Sequence, residues 1–376
     1  MDFFGVFWDF HHSQYSQFNP SSFPVGFWAP QGLVMVVTGG SGFLGSHLAQ
    51  VLLEAEPELR ELRILDLDPD IRTVPERHRE PQNAPNPPQK SGYFAVILGY
   101  FWDNFRLFLG WFWGVAGTKN VIRGCQAAGV PVLIFTSSME VVGNWEILGG
   151  FWGDEDSPYP TRHSEPYPLS KAQAERLLLE ANGKPVSGGG RLVTLSLRPT
   201  GIFGERHPLL ELFYRRGRGL GGRVPLTLPP NAEHGRVYAG NVAWMHVLAA
   251  RAARARPASV GGEFFFCYDG SPWVPYEDFN LLLLGPAGIS GGPRVPRGLS
   301  GFLAWLNGAL RAILGRFGVK WAPLLNPYTW AVASTPFSVR TAKAERKLGY
   351  RPLFSWEEAR ERTVRWVRTL GREKTG

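Results

Sequence analysis

The chain has 376 residues, of which 44% are hydrophobic and 19% are charged, which excludes global disorder and suits one large α/β domain with additions, or two domains. The formal net charge is +8, but the basic runs Arg215–Arg218 and Arg251–Arg256 match no nucleic-acid motif, so we expect an anionic membrane surface or no partner, and no nucleic acid. Cys125 and Cys267 are the only cysteines, which excludes a disulfide framework and a zinc site and indicates a reducing compartment.

Residues 1–31 contain ten aromatic residues in no helical or alternating pattern. This composition matches either an aromatic membrane anchor or a low-complexity extension. We favour the low-complexity extension, on composition alone. The segment lacks the basic start of a secretory signal.

Regular structure is predicted from Leu33 onward. The run Leu33–Val37 is typical of a buried parallel strand. The turn Thr38–Gly45 follows it, a helix continues to about Leu53, and Leu62–Asp66 is the second strand. These elements predict a β-α-β unit.

The segment between Asp66 and Thr118 is atypical. Residues 73–90 hold five prolines and predict a loop or disorder. Residues 93–117 are apolar and aromatic and long enough to span a bilayer, but the charges of Asp103 and Arg106 disfavour a span. No strand is recognisable in this segment.

Alternating helices and strands resume at Thr118. This alternation predicts an α/β fold with a Rossmann-type doubly wound parallel sheet. The predicted elements are a helix Thr118–Ala128, a strand Val132–Phe135, a helix Tyr167–Glu180, a strand Leu192–Leu197, a strand and helix within Val237–Ala250, and a strand Phe264–Tyr268.

Two further helices are predicted near the C-terminus. Leu299–Phe317 is mostly apolar, with Arg311 and Arg316 toward its end. A buried core helix, an interfacial helix and a membrane span all match this pattern, and its length and terminal arginines favour membrane contact. The last helix begins with the capping box Ser355–Glu358.

Gly39, Gly42 and Gly45 follow the first strand and open the first helix. Glycines at these positions allow a sharp turn and a close approach of the backbone, so that the helix N-terminus can face a pyrophosphate. The pattern predicts a dinucleotide site, with a purely structural turn as the alternative.

Asp66 ends the second strand. A carboxylate at this position can accept hydrogen bonds from both ribose hydroxyls of NAD, and it repels the 2′-phosphate of NADP. We therefore predict NAD as the cofactor. Asp68 and Asp70 are close enough in sequence to take this role instead.

Tyr167 and Lys171 are four residues apart at a helix start, which places both on one face, about 6 Å apart along the axis. The ammonium favours the phenolate, so we expect a lowered pKa for Tyr167 and a role as proton acceptor. Ser138 lies just past a strand, at the carboxyl edge of the sheet, where a hydroxyl can hold a substrate alcohol or carbonyl. Ser137 is the alternative to Ser138.

These motifs resemble the extended short-chain dehydrogenase/reductase superfamily, a match that also includes Leu197–Gly204. A second set of segments resembles the 3β-hydroxysteroid dehydrogenase/Δ5-Δ4 isomerase family. This second set comprises Thr136–Gly143, Glu233–Tyr238, Gly240–His246 and Phe266–Pro272. Within the family, Pro323–Thr329 and Gly349–Trp356 are most similar to the branch that acts on C27 steroids of the bile acid pathway.

The resemblance implies NAD-dependent oxidation of a 3β-hydroxy-Δ5-steroid, such as 7α-hydroxycholesterol, to a 3-oxo-Δ4 product. It implies that Tyr167 removes the hydroxyl proton, that Lys171 holds the nicotinamide ribose and that Ser138 orients the alcohol. It also adds Phe43 and Leu44 to the glycines as cofactor contacts. For the isomerisation, Asp269 is a candidate, although a structural aspartate at a strand end is the favoured interpretation.

The sequence departs from the family between Asp66 and Thr118. The family has two more strands there, carrying cofactor contacts of Gly-Asp and His-Thr-Ala type, and neither is recognisable. Gly114 stands where the family usually has an asparagine. A chain with an impaired cofactor site is therefore an alternative, as is another extended dehydrogenase of the sterol-4-carboxylate decarboxylase or nucleotide-sugar epimerase type.

The expected organisation has five parts. Residues 1–31 are an extension, 32–205 are the NAD-binding domain with 73–116 atypical, 206–295 bind the substrate, 296–320 form the membrane-associated helix and 321–376 are a C-terminal region. By the resemblance, we expect the protein at the endoplasmic reticulum membrane with its catalytic part facing the cytosol. A homo-oligomer is left open.

Overall fold

The computed structural model describes residues 32–66, 93–98, 107–142, 151–155, 163, 166–319, 321 and 323–371. The strands are β1 (Leu33–Thr38), β2 (Leu59–Leu65), β3 (Tyr93–Leu98), β4 (Val132–Thr136), β5 (Phe151–Gly153), β6 (Val193–Pro199), β7 (Gly201–Phe203), β8 (Arg223–Leu226), β9 (Glu233–His234), β10 (Arg236–Tyr238), β11 (Glu263–Cys267), β12 (Val274–Pro275), β13 (Ser290–Arg294) and β14 (Phe337–Val339). The helices are α1 (Phe43–Ala55), α2 (Leu107–Ala128), α3 (Pro166–Glu180), α4 (Pro208–Gly219), α5 (Ala239–Ala255), α6 (Pro257–Val260), α7 (Tyr276–Leu284), α8 (Arg297–Arg316), α9 (Pro327–Ala333), α10 (Ala342–Leu348) and α11 (Trp356–Thr369).

Six of the described strands form a parallel sheet in the order β11-β6-β4-β3-β1-β2. The inner strand β4 is apolar until its last residue and buried along its whole length. Its residues alternate between two cores, so that Val132 and Ile134 lie with α1 and α5, whereas Leu133 and Phe135 lie with α2 and α3. Helices therefore cover both faces, and the predicted doubly wound α/β sheet is confirmed.

Strand β3 corrects the sequence analysis of the segment before Thr118. Tyr93–Leu98 pairs with β1 on one side and β4 on the other, and α2 begins at Leu107. The sequence did not reveal this strand because a short apolar run has no period that distinguishes a buried strand from a helix. One of the two strands that the resemblance implied is therefore present, and β2 and β11 are the two outer strands of the described sheet.

Smaller sheets join the C-terminal segments to this core. In the part of the chain that the structure describes, β12, β9, β14 and β5 form one sheet in that order. The parallel pair β7 with β10 joins the segment after β6 to the substrate-binding region predicted for residues 206–295, and the parallel pair β8 with β13 lies within that region. In the first pair, Gly201 lies opposite Arg236.

Helix α8 covers the predicted long apolar helix. Its Ser300 and Ala304 are buried, and the Ser300 hydroxyl accepts a hydrogen bond from the indole of Trp330 in α9 at 3.1 Å. The opposite side is exposed, with Phe302 at 54% and Trp305 at 61%, so α8 is not a buried core helix. None of the described helices is both long enough and apolar enough to cross a bilayer.

The last helix, α11, forms only one half of the capping box that the sequence predicted. The Ser355 hydroxyl accepts a hydrogen bond from the Glu358 backbone N–H at 3.2 Å. The carboxylate of Glu358 accepts from Arg362 one turn later at 2.8 Å, which stabilises the first two turns.

Candidate active site

The glycine-rich turn connects β1 to α1. Gly39 has a positive φ of 71°, and its carbonyl accepts the Gly42 N–H at 3.2 Å. A Cβ on Gly45 would lie 2.1 Å from the Gly39 carbonyl oxygen, so only glycine permits this contact between helix and turn. No side chain caps α1 and no acidic residue lies in its first turn, which leaves its positive end available to a pyrophosphate.

The same turn contains a close contact that the sequence analysis missed. A Cβ on Gly40 would lie 2.6 Å from a methyl carbon of Ile64 in β2. The glycine at position 40, directly after Gly39, could have revealed this contact in the sequence, because adjacent glycines before a helix indicate close backbone packing.

Asp66 lies directly beyond β2, beside this turn. Its carboxylate accepts a hydrogen bond from the Ser41 N–H at 2.9 Å. Asp68 and Asp70, the alternatives for the ribose contact, lie outside the described residues. Asp66 thus lies beside the glycine-rich turn, and its contact with a dinucleotide ribose stays a prediction.

Phe43 and Leu44, the other predicted cofactor contacts, begin α1. The Leu44 side chain is buried in the apolar core, which leaves only its main chain for a ligand. The Phe43 ring packs edge-on against His47 and His207, with ring centroids 5.5 and 4.9 Å apart.

Ser138, Tyr167 and Lys171 meet beyond the carboxyl end of β4. The Tyr167 hydroxyl is buried, and its hydrogen bond with Ser138 favours the phenolate. Lys171 is 6% exposed, and its ammonium donates to the Thr136 carbonyl at 2.8 Å. The structure thus brings together the three predicted catalytic side chains, whose roles stay predictions.

The pKa of Tyr167 differs from the expectation. Burial is the main cause that raises it above its ordinary value, and the charge of Glu140 raises it further, against the hydrogen bond from Ser138. The expectation of a lowered pKa was wrong for this state of the protein, because helix spacing reports neither burial nor the carboxylate across the site.

Lys171 is perturbed in the opposite direction. Burial lowers its pKa to about 8, although the carboxylates of Glu175 and Glu140 both act to raise it. An ammonium with this pKa remains mostly charged at neutral pH, and its charge acts on Glu140, the same carboxyl group that acts on Tyr167.

Ser137 has a different role from Ser138. Its hydroxyl donates to the Glu175 carboxylate at 3.2 Å, and the Arg198 guanidinium donates to the same carboxylate at 2.9 Å. The side chains of Glu175 and Arg198 are fully buried. Ser137 therefore belongs to a buried ion pair beneath the site, and Ser138 is the serine that reaches Tyr167.

Glu140 is the main site residue that the sequence analysis missed. It lies two residues after Ser138, and its carboxylate accepts a hydrogen bond from the hydroxyl of Tyr328 in α9. Burial raises the pKa of this carboxyl, against the effects of Tyr328 and Lys171. A glutamate between apolar residues in Met139–Val142 was the signal that could have identified it.

A second hydrogen-bond network fixes Thr136, whose carbonyl accepts the hydrogen bond from Lys171. The Thr136 hydroxyl and the Nε2 atom of His246 are 2.7 Å apart, and Nδ1 is 2.8 Å from the Val242 carbonyl. Because a carbonyl only accepts, Nδ1 carries the proton and Nε2 accepts from Thr136. Burial lowers the pKa of His246 to about 4, which keeps this arrangement neutral and fixed.

Asp269, the candidate isomerase residue, has a structural environment. One carboxylate oxygen accepts from the Tyr238 N–H and from the Asn241 amide, both at 2.8 Å. The other accepts from the Ser271 N–H at 3.0 Å. These bonds tie the end of β11 to the start of α5. No cluster of three potential metal ligands occurs among the described residues.

Comparisons with known proteins identify relatives of this chain. The model of the "3-beta hydroxysteroid dehydrogenase/isomerase family" matches residues 36–84 and 114–296. The human protein "3 beta-hydroxysteroid dehydrogenase type 7" is 48% identical over 357 residues, covering 90% of this chain and 96% of that protein. The mouse protein of the same name is 47% identical over 358 residues, with the same shares covered.

Among solved structures, a UDP-glucose 4-epimerase from Thermotoga maritima superposes with a TM-score of 0.62 and 18% identity, covering 89% of this chain and 99% of that chain. This likeness supports the fold alone. The matches to the two type 7 relatives cover 90% of this chain and 96% of each relative. The chain belongs to the 3-beta hydroxysteroid dehydrogenase/isomerase family.

Proposed function

We propose that this chain is an NAD-dependent 3β-hydroxy-Δ5-steroid dehydrogenase/isomerase. Its substrate is a C27 sterol such as 7α-hydroxycholesterol, which it converts to the 3-oxo-Δ4 product in bile acid biosynthesis. The observation that carries the proposal is the meeting of Ser138, Tyr167 and Lys171 at the sheet edge that also bears the glycine-rich turn. The C27 substrate is supported by the similarity to the relatives named type 7.

The residues present fit NAD. Glycine at position 45 lets α1 pack directly against the Gly39 carbonyl, and the uncapped α1 offers backbone N–H groups to a pyrophosphate. Asp66 adds a carboxylate for the adenosine ribose. When bound, NAD supplies the acceptor for the hydride from C3 of the steroid.

Tyr167 accepts the proton of the 3β-hydroxyl, and Ser138 orients that hydroxyl. The free site resists this step, because burial and Glu140 disfavour the phenolate. The Lys171 ammonium donates one hydrogen bond to the Thr136 carbonyl, which leaves two N–H donors for the nicotinamide ribose.

Glu140 controls the same equilibrium. Burial raises the pKa of this carboxyl, and its charge in the ionised form raises the pKa of Tyr167. The Tyr328 hydrogen bond instead stabilises the ionised carboxylate. The charge state of Glu140 thus sets how readily Tyr167 accepts a proton.

The proposal is tested by incubating purified protein with NAD and 7α-hydroxycholesterol. We expect formation of NADH together with the conjugated 3-oxo-Δ4 absorbance, and slower turnover of pregnenolone, which has a shorter side chain. NAD binding without oxidation of either steroid would favour another extended dehydrogenase. Absence of NAD binding in a calorimetric titration would favour the chain with an impaired cofactor site.

We further propose that α8 lies in the surface of the endoplasmic reticulum membrane, with the catalytic part facing the cytosol. Its exposed face is apolar and is formed by Leu299, Phe302, Leu303, Trp305, Leu306 and Ile313. Burial of such a face in lipid contributes about 25 cal/mol per Å². The net charge of +8 favours an anionic surface, and a sterol partitions into the same lipid.

A further inference from the structure

One face of α3 is joined to the segment Thr136–Ser138 at the end of β4. Tyr167, Lys171 and Glu175 follow one another at four-residue spacing, which places all three on that face. Each has a hydrogen bond with one residue of the segment: Lys171 with the Thr136 carbonyl at 2.8 Å, Glu175 with the Ser137 hydroxyl at 3.2 Å, and Tyr167 with Ser138. Glu175 is the member of this set that the proposed reaction does not use.

Glu175 also joins α3 to the neighbouring strand β6. Its two carboxylate oxygens lie 2.9 and 3.2 Å from the Nε atom of Arg198 near the end of that strand. Neither side chain has any exposed surface. The Arg198 guanidinium lies 3.4 Å from the ring centroid of Phe264 in β11, so the ion pair is enclosed within the fold.

Ser137 is fixed at two of its atoms. Its backbone N–H donates to the carbonyl of Leu197, the residue before Arg198, at 2.7 Å. Its hydroxyl donates to Glu175, which accepts from Arg198 in turn. The position of Ser137 between β6 and α3 is therefore set by a closed ring of hydrogen bonds, and Thr136 and Ser138 are its immediate neighbours in the chain.

The charges that act on Lys171 come from two elements. Glu175 lies one turn further along α3, and Glu140 lies after β4; both carboxylates favour the ammonium form, and the effect of Glu175 is the larger. Tyr167 is a neutral phenol in the free site, because burial raises its pKa. His246, which reaches Lys171 through Thr136, is neutral because burial lowers its pKa to about 4.

We propose that Glu175 is a positioning residue for the proposed steroid oxidation. Its carboxylate holds Ser137, so that the residues on either side keep their contacts with Lys171 and Tyr167. Its charge keeps Lys171 in the ammonium form that binds the cofactor. This role depends on the proposed function, because Lys171 and Tyr167 take their roles from it. Arg198 is the counter-ion that stabilises a carboxylate buried at this place.

The test is the NAD affinity of the full chain, measured by fluorescence titration across the titration range of Lys171. In the wild type, we expect the affinity to fall above about pH 8, as Lys171 loses its proton. Glu175→Gln keeps the shape but removes the charge, so the pKa of Lys171 decreases and the fall should begin about one pH unit lower. Glu180→Gln, at the exposed end of α3, is the matched control and should follow the wild-type profile. A Glu175→Gln profile that coincides with the wild-type profile would overturn the effect of the charge.

A second variant covers the outcome in which Glu175→Gln does not fold because Arg198 is left buried without a counter-ion. Glu175→Gln combined with Arg198→Met leaves neither charge of the pair, and methionine suits the aromatic surroundings of Arg198. We expect a shift of the NAD profile in the same direction, since Lys171 has lost the same carboxylate. A folded double variant with the wild-type profile would overturn the proposal.

Ser137→Ala separates the hydrogen bond from the charge. It retains the Glu175 carboxylate, so the pH profile of NAD affinity should match the wild type. The kcat for steroid oxidation should fall roughly three- to tenfold, because one hydrogen bond that aligns Thr136–Ser138 with α3 is lost. An unchanged kcat would overturn the positioning of Ser137. A wild type that binds NAD but oxidises no steroid would contradict the proposed function, whereas an active wild type with an unmoved Glu175→Gln profile would contradict the role of Glu175 alone.

Discussion

The hydroxyl of Tyr328 donates a hydrogen bond to the carboxylate of Glu140, and this contact connects α9 to the predicted catalytic cluster. Helix α9 packs in turn against α8, where Pro327 faces Gly308 and Trp330 contacts Ser300. Glu140, whose charge raises the pKa of Tyr167, is therefore held by the helix pair α8 and α9, and α8 carries the exposed apolar face.

Glu140→Gln should shift the acid limb of the pH profile of kcat/KM for steroid oxidation to lower pH. The charge of Glu140 raises the pKa of Tyr167, and removal of that charge allows Tyr167 to lose its proton at lower pH. We expect a shift of about one pH unit. Glu277→Gln is the control: it removes a carboxylate outside this cluster and should leave the acid limb of the pH profile unchanged. An acid limb that does not move in Glu140→Gln would contradict the effect of Glu140 on the pKa of Tyr167.

Tyr167→Phe should reduce turnover by at least about 10²-fold, because it removes the proton acceptor and little else. NAD affinity, measured by fluorescence titration, should stay near the wild-type value. Lys171→Ala should weaken both turnover and NAD binding, since Lys171 contributes to both. Retention of substantial turnover by Tyr167→Phe would remove Tyr167 from the mechanism.

Asp66→Ala should narrow the preference for NAD over NADP, because the 2′-phosphate no longer meets a carboxylate. The measurement is the ratio of kcat/KM for the two cofactors. Glu61→Ala is the control, since it removes a carboxylate from β2, the strand before Asp66, where Glu61 pairs with Arg63. A wild type that already prefers NADP would show that Asp66 is misassigned.

Gly45→Ala should lower the free energy of unfolding by about 1–3 kcal/mol, because its Cβ would stand 2.1 Å from the Gly39 carbonyl oxygen. The displaced turn should also weaken NAD binding. Gly124→Ala in α2 is the matched control: its Cβ meets nothing within 4 Å, so a gain of about 0.5–1 kcal/mol is expected. Urea unfolding measures the free energy of unfolding of both variants. A Gly45→Ala variant as stable as the wild type would contradict the close contact between Gly45 and Gly39.

Replacing Phe302 and Trp305 with Glu should release the protein from membranes. Both side chains belong to the exposed face of α8, and charges there oppose burial in lipid. Cosedimentation with phosphatidylcholine/phosphatidylserine vesicles measures the bound fraction. Leu220→Glu alters an exposed apolar residue elsewhere and should bind as before. Wild-type protein that stays wholly in the supernatant would end the membrane proposal.

The parts of the site that the sequence predicted are those with local signals. The glycine spacing and the four-residue step from Tyr167 to Lys171 follow from turn and helix geometry. The partner of Glu140 is 188 residues away, and no local pattern reports such a contact. The pKa of Tyr167 depends on that distant packing, which explains why its direction was predicted wrongly.

The sheet formed by β12, β9, β14 and β5 sets an order for folding on the ribosome. All six described strands of the central sheet have been synthesised once Cys267 is complete, whereas β14, an inner strand of the sheet with β12, β9 and β5, ends at Val339. At about 5–20 residues per second, several seconds separate these two points. During that interval the edges of β5 and β9 lack their shared partner, which makes them a natural target for a chaperone that recognises unpaired strands.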